Sequence, residues 1–409
     1  MRTDIVVQNV ASFRIDPAVL VRPHRRTWLI ASPGQHQKLV KRHREDAFSR
    51  IAVLEEFTAD ALTACVESLR ETLPAADRDD VALLCHDEYS LGAVAEVRRR
   101  LGLAGDLPDQ LAPFIDKIAM KRALEGAGVR LPRHQEWDAR AYAADADRYV
   151  AGLEEALGWP MFVKPLDESG SVGARRLDDA GELRDWAATA GTRRYEVDEF
   201  LRGVLYHVDT AVSGGAVVHV EANAYLHPCY DYVHGKVCAS HTLPEDHPVR
   251  ASLLAFNRRV LDALPDKPSH GVYHHEVYRR PGGELVFLEI AARAPAALVP
   301  STSRIRRGLD IEEAHFRLQR GEDLPGSEGI GPHAAWVYFP KVEGRVRELR
   351  RATLLSDHHW QWNVETGQTT EAPEDIRDFA ASVLLWNEDF DVLLQDLSTL
   401  DSHTAVVTD

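Results

Sequence analysis

Short apolar runs alternate with amphipathic ones through the first 110 residues. The runs 27–31 (with Trp28, Leu29 and Ile30), 51–54 and 81–85 have the length and composition of buried strands. The segments 59–73 and 89–101 carry their apolar residues at helical spacing. This alternation predicts a small parallel sheet covered by helices. Ligands of such sheets sit at the carboxyl ends of the strands. Cys85-His86-Asp87-Glu88 lies at one such end, where Asp87 and Glu88 either contact a ligand or cap the helix that follows. The segment has no GxGxxG, which argues against a dinucleotide cofactor and a dehydrogenase.

Prolines at 108 and 113 mark a joint. The pattern then predicts helices over 115–129 and 142–157. Residues 161–165 read as an apolar strand that contains one lysine, Lys164. A lysine in a buried strand is costly unless it is paired or reaches a ligand. The small-residue loop behind it, Ser169-Gly170-Ser171-Val172-Gly173, can lay backbone N–H groups against phosphate oxygens. Strands follow at 195–201, 205–212 and 216–223. Residues 225–246 form a polar excursion rich in His and Tyr, and a helix spans 249–264. Residues 271–293 contain two alternating runs around Pro281-Gly282-Gly283, a predicted hairpin. It places Glu276 on one arm and Glu289 on the other, with Arg293 four residues on. Two carboxylates held side by side need a cation between them, and oxygen ligands of this kind suit Mg²⁺ with substrate phosphates. Residues 300–307 read as a loop, 308–320 as a helix starting at Asp310, 334–339 as a strand and 387–400 as a final helix.

Composition narrows the class. At 409 residues the chain exceeds one typical core, so two or three domains are expected. No apolar run approaches a membrane span, and the first ten residues carry no signal-peptide core. Four scattered cysteines without a CxxC pair indicate free thiols and a cytoplasmic location. The balance of 48 basic and 64 acidic residues, −16 overall, argues against a nucleic-acid partner. An anionic substrate would need locally concentrated Lys and Arg, because the global field opposes it.

In order along the chain stand Asp116-Lys117, Phe162-Val163-Lys164-Pro165, the 169–173 loop, Asp198-Glu199-Phe200-Leu201-Arg202-Gly203, His275-Glu276 and Leu288-Glu289-Ile290-Ala291-Ala292-Arg293. Over residues 113–320 this order resembles the ATP-grasp superfamily, within it the carboxylate–amine ligases that act on amino acids. The resemblance implies an α/β (α+β) ATP-grasp fold. Residues 1–112 would be the small parallel α/β domain before the grasp, 113–320 the grasp itself, and 321–409 a C-terminal mixed subdomain completing the substrate site. Within the grasp, 113–200 would form the smaller lid and 201–320 the half with the metal site.

The resemblance also implies roles. Lys117 and Lys164 would reach the ATP phosphates, under a flap of Ser169, Gly170, Ser171 and Gly173. Asp198, Glu199, Phe200 and Leu201 would line the adenine and ribose. Glu276 and Glu289 would hold Mg²⁺, with Mn²⁺ as an alternative. Arg293 would steady an acyl phosphate or a substrate carboxylate. Glu88, Lys236, Ser301 and Arg304 are candidates for substrate contact, with His234, His241 and Thr302 beside them. The implied activity is ADP-forming ligation of a carboxylate to an amine, both small molecules, in a protein that is monomeric or a homodimer. The family usually has Asn where this chain has Ala291, and Gly-Gly where it has Ala294-Pro295-Ala296. These departures keep two alternatives in view: a nucleotide-binding relative with weakened turnover, and a carboxylase using bicarbonate.

Overall fold

Strands Thr3–Gln8, Arg26–Ala31, Arg50–Val53 and Val81–Cys85 form one parallel sheet in the computed structural model, which describes residues 1–264, 266–326 and 329–409. Thr3–Gln8 lies between Arg26–Ala31 and Val81–Cys85, in the interior of the sheet. All six of its residues are buried, including Thr3, Asp4 and Gln8. Those polar residues break the apolar run, which is why the pattern did not reveal this strand. Helices Ala59–Glu71 and Leu91–Leu101 cover the sheet through Leu62, Val66, Leu91 and Val94, close to their predicted limits.

A second sheet is antiparallel and small. Its order is His134–Glu136, Tyr195–Glu199, Met161–Pro165, Arg175–Leu177. Val150, Leu153 and Trp186 pack against Met161, Val163 and Val197 behind it. The single helix expected over 142–157 is two helices, Ala139–Ala144 and Ala146–Leu157. Asp145 separates them: it leaves the helical region and its carboxylate caps the Arg148 N–H. An aspartate is better placed at such a cap than inside a helix. The helix expected over 115–129 is confined to Lys117–Leu124, capped by Asp116.

The third sheet has eight strands. They run Leu285–Ala291, Gly271–Arg279, Val204–Ser213, Ala216–Tyr225, Cys238–Thr242, His333–Pro340, Phe379–Asn387 and Asp357–Trp362. The 225–246 excursion therefore contains a sheet strand. Asn387 ends a strand, and the last helix is Phe390–Asp401. Residues beyond 332 supply three strands of this same sheet. The hairpin forms as the turn predicts, with Gly282 and Gly283 at φ of 101° and 95°. Gly203 enters the neighbouring strand so close to the hairpin that a Cβ would stand 2.1 Å from the Arg279 carbonyl oxygen.

Helix Ile311–Gln319 ties the parallel sheet to the eight-stranded one. Ile311, Ala314 and Leu318 pack on Ala211 and Val272. On its other side Gln319 exchanges two hydrogen bonds with the Cys85 backbone, at 2.9 and 2.8 Å. Just beyond it Arg320 donates to Asp4 at 2.8 Å, both side chains being fully buried. Removing one partner of such a pair leaves an uncompensated buried charge. Asp4→Ala is expected to lower stability by about 3–5 kcal/mol in urea unfolding.

Glu312 on the same helix accepts the Arg14 backbone N–H at 3.0 Å. Burial first, and Asp310 second, push its carboxyl from 4.5 up to about 8. A folded state that keeps this proton loses stability as pH rises from the unfolded value through the folded one. Wild type is therefore expected to lose several degrees of melting temperature relative to Glu312→Gln between about pH 4.5 and pH 8.

Candidate active site

The hairpin register sets Glu276 directly opposite Glu289, and His274 opposite Ala291. Both glutamates face a cleft of about 180 Å³ that is also lined by Lys117, Lys164, His274 and Arg293. The five charged residues expected around a nucleotide phosphate site thus converge. Burial pushes the Glu289 carboxyl up, and Glu276 across the strand pair adds to this; Lys117, 4.0 Å away, opposes it. Burial works against the charge of Glu276 too, but His274 outweighs it and holds Glu276 below the ordinary glutamate value. A buried and a half-buried carboxylate facing each other across paired strands make a donor set that fits Mg²⁺.

Lys117 stands at the first turn of Lys117–Leu124, and its Nζ donates to the Glu168 carbonyl at 2.5 Å. Lys164 sits mid-sheet with Nζ 3.1 Å from Asp198 and 3.3 Å from Glu196. Burial disfavours its charge, but Asp198, Glu196 and Glu289 outweigh it and hold Lys164 above the ordinary lysine value. Lys121, one turn after Lys117, completes this buried cluster by bonding Glu196 and, at 2.8 Å, Asp198. Lys121 was not singled out in the sequence, whereas Glu196 was an alternative there to Asp198. The helical spacing of Lys117 and Lys121 was the available signal.

The loop after Lys164 turns sharply, with Gly170, Ser171 and Gly173 all at positive φ near 65°. Ser171 adopts this conformation without being glycine, which is uncommon. Ser169, Gly170 and Ser171 line the cleft; Gly173 is outside its lining, and a Cβ there would stand 3.1 Å from the Pro165 ring. Tyr89 fastens the loop to the parallel-sheet region: its hydroxyl donates to Glu168 and accepts from Ser169, each at 3.0 Å. Gly170 packs against Ile376 from the C-terminal part of the chain.

A second space of about 340 Å³ adjoins the cleft and shares Phe162, Ser171 and Leu288 with it. Asp198, Glu199, Phe200 and Leu201 line it, with Arg176, Tyr230 and Tyr278. Phe162 meets Tyr230 edge-on at 5.0 Å, and the Arg176 guanidinium lies 4.8 Å from the Phe200 ring centre. Glu199 is held by Arg130 and Arg133 at 2.8 and 3.1 Å. Both acids foreseen for the ribose are thus engaged with cations of the chain itself.

Arg293 divides the cleft from a third space of about 430 Å³ and lines both. Its Nε and Nη2 donate to Glu88 at 2.7 and 2.6 Å. Burial works against the Glu88 charge, but Arg293 and then Lys117 hold its carboxyl below the usual value. Ser301 also lines this space, with Tyr89, Glu312 and Tyr338. Residues 300–307, expected as a loop, lie in the helix Val299–Arg307, opened by Pro300 in its first turn. The Thr302 and Ser303 hydroxyls donate to backbone carbonyls there, at 3.0 and 2.8 Å. Arg304 lies 62% exposed beside Asp310, 3.9 Å away. Lys236 and His234 are exposed too, and these residues line none of the three spaces. His241 is half-buried, packs on Phe390 and lies outside them as well.

His274 was not foreseen. Its Nδ1 bonds Asp209 at 2.7 Å, and Nε2 points toward Glu276, 3.6 Å away. Asp209 is shared with His207 at 2.9 Å and accepts from Asn223 at 3.1 Å. Burial disfavours the His274 charge, but Asp209 and Glu276 outweigh it and raise the imidazole to about 9. Strand alternation placed 274 and 276 on one face; the partner Asp209, 65 residues earlier, was invisible.

A comparison with models of known protein families finds no match. Among curated proteins, the chain is 28% identical over 211 residues to the L-arginine-specific L-amino acid ligase of Bacillus subtilis, covering 48% of this chain and 47% of that one. It is 32% identical over 220 residues to the D-alanine–D-alanine ligase of Stutzerimonas stutzeri, covering 51% and 65%. The matches thus span about half to two thirds of the length of these curated relatives. Among solved structures, an L-amino acid ligase from Bacillus licheniformis superposes with a TM-score of 0.76 at 16% identity, covering 100% and 99% of the two chains. Phosphoribosylglycinamide synthetase from Anaerococcus prevotii gives 0.68 at 15% identity, covering both chains fully. At these identities the structural likeness speaks for the fold. Among the described residues no helix is long and apolar enough to cross a membrane. The chain has the ATP-grasp fold and is a sequence relative of its carboxylate–amine ligases.

Proposed function

We propose that this protein is an ATP-dependent ligase that activates a carboxylate as an acyl phosphate and joins it to an amine, one or both partners being amino acids. The observation that carries this reading is the cross-strand pair Glu276–Glu289, set between Lys117, Lys164 and Arg293 in one cleft. Phosphoryl transfer needs charge neutralisation and in-line positioning more than covalent help. In this reading adenine occupies the space lined by Phe162, Phe200, Leu201 and Tyr230. The phosphates run toward Lys117 and Lys164 beneath the 169–173 loop. Glu276 and Glu289 would hold Mg²⁺, which would supply charge neutralisation to the phosphates.

The carboxylate substrate lies in the third space with its reacting end at Arg293. Its oxygen attacks the γ-phosphorus, and ADP leaves with the electrons of the broken P–O bond. The amine nitrogen then attacks the acyl carbon, phosphate leaves, and the nitrogen gives up a proton. Arg293 steadies the negative charge in both steps, and Glu88 fixes its orientation. The loop keeps water from the acyl phosphate. A space of about 430 Å³ favours an amino acid over bicarbonate, which needs far less room. The reading also covers a cytoplasmic protein acting on small molecules, as a monomer or a homodimer.

Purified protein with Mg-ATP is expected to release ADP and phosphate only when both a carboxylate and an amine are present. Release of AMP and pyrophosphate would sink the reading. Glu289→Gln is expected to lower turnover on the order of 10²–10³-fold. Its melting temperature is expected to stay the same or rise, because neutral glutamine relieves the repulsion from Glu276. A variant with full turnover would remove Glu289 from the chemistry.

A further inference from the structure

The wall of the third space that lies outside the nucleotide cleft is basic beyond the needs of the reaction. Arg14, Lys38 and Arg42 line it, and none of them lines the cleft. They come from two different segments: Arg14 from the stretch after Thr3–Gln8, Lys38 and Arg42 from helix Pro33–Lys41 and its cap. Among the described residues no carboxylate stands within 4.0 Å of any of these three side-chain charges. Lys38 donates to the Ser12 hydroxyl at 3.1 Å, which leaves its charge uncompensated. Its neighbours are cations: Lys38 is exposed yet partly shielded from water, and that shielding first, then Arg14, Arg42 and Arg377, depress its basicity. Arg42 is depressed in the same way, by burial and by Arg44 and Arg14.

The acids of the same wall do not offset this charge. The Asp87 carboxylate is taken up by the backbone N–H groups of Asn9, Val10 and Ala11, at 3.0, 2.5 and 2.8 Å. Glu88 is paired with Arg293, and Arg377 with Asp375. Glu312 retains its proton near neutral pH, and burial keeps His86 uncharged. Lys38 and Arg42 gain from the carboxyl end of their helix, as cations there do. That end-effect does not account for Arg14, which reaches the same space from another segment. In a chain of net charge −16, three uncompensated cations around one concavity attract an anion against the surrounding field.

We infer that the substrate of this space carries a second anionic group, remote from the reacting carboxylate, which Arg14, Lys38 and Arg42 receive. This rests on the ligase reading above. It makes the substrate class an acidic amino acid or another dianionic acid, with carboxylate or phosphate as the distal group. Guanidinium and ammonium donors bind either one by charge-assisted hydrogen bonds.

The test uses pairs that differ in distal charge: glutamate against glutamine and aspartate against asparagine, which are nearly equal in shape, and O-phosphoserine against serine. Each is supplied with Mg-ATP and a fixed amine pool, and ADP formation is followed. The charged member of at least one pair is expected to show a KM lower by about tenfold or more. The pair that shows it tells a carboxylate from a phosphate. Arg14→Gln, Lys38→Gln and Arg42→Gln are each expected to shrink that ratio, and the triple variant to erase it. All three side chains are exposed at the pocket wall, so melting temperatures report whether each variant is folded. Equal KM values, preference for the neutral members, or a ratio untouched by the variants would overturn the inference while leaving the ligase reading intact. If no acid supports ADP formation, the ligase reading fails. Calorimetric binding of glutamate and glutamine to the ADP-loaded protein then decides the pocket by itself: tighter glutamate sustains the anion subsite, and equal or weaker glutamate ends it.

Discussion

Two carboxylates on adjacent strands cannot both stay charged inside a protein unless cations surround them, and this constraint organises the centre of the molecule. The hairpin register makes the proximity of Glu276 and Glu289 unavoidable. What varies is how each is compensated. His274 answers Glu276 from the same strand, while Glu289 has Lys117 at the longer distance of 4.0 Å and is left short of charge. That asymmetry makes the pair a receptive place for a divalent cation rather than a closed ion-pair network. Helix Lys117–Leu124 must lie against the hairpin for Lys117 to reach it, and the antiparallel sheet must lie against that helix for Lys121 to reach Glu196 and Asp198. The relative placement of three elements therefore follows from charge as much as from apolar packing.

The lysines show the same economy. Lys164 pairs with two carboxylates of the one neighbouring strand Tyr195–Glu199 and still lines the cleft. Its ion pairs resist loss of its proton, and the neighbouring strand limits where its ammonium can go. A cation fixed in this way would need little reorganisation to meet an anion in the cleft. The same pairing occupies Asp198, so a ribose in the adjoining space would meet Asp198 through the outer face of an existing ion pair.

Local rules revealed much of this centre in the sequence. A Pro-Gly-Gly turn sets a hairpin, and the alternation of its arms puts both glutamates on one side. A lysine inside an apolar strand, followed at once by a loop of small residues, has few structural explanations. The misses share a cause as well: they depend on partners far away in the chain. Thr3–Gln8 reads as polar because Asp4 is neutralised by Arg320, more than 300 residues later. The Ser, Thr and Arg residues of 300–307 resembled a substrate-binding loop, but two of the hydroxyls donate to the Val299 and Leu309 carbonyls and Arg304 faces outward. The Asp209–His274 bond and the convergence of Arg14 with Lys38 and Arg42 arise only when separate segments fold together. No spacing rule within one segment reports them.

The 169–173 loop touches more than the cleft it borders. Ser169 lines both the cleft and the third space, and the loop is fastened by Tyr89 on one side and packed on Ile376 on the other. One segment is thus a shared wall of two chambers. Lifting it would unseal both at once, and seating it would seal both at once. A displacement of this loop would therefore change the walls of both chambers together.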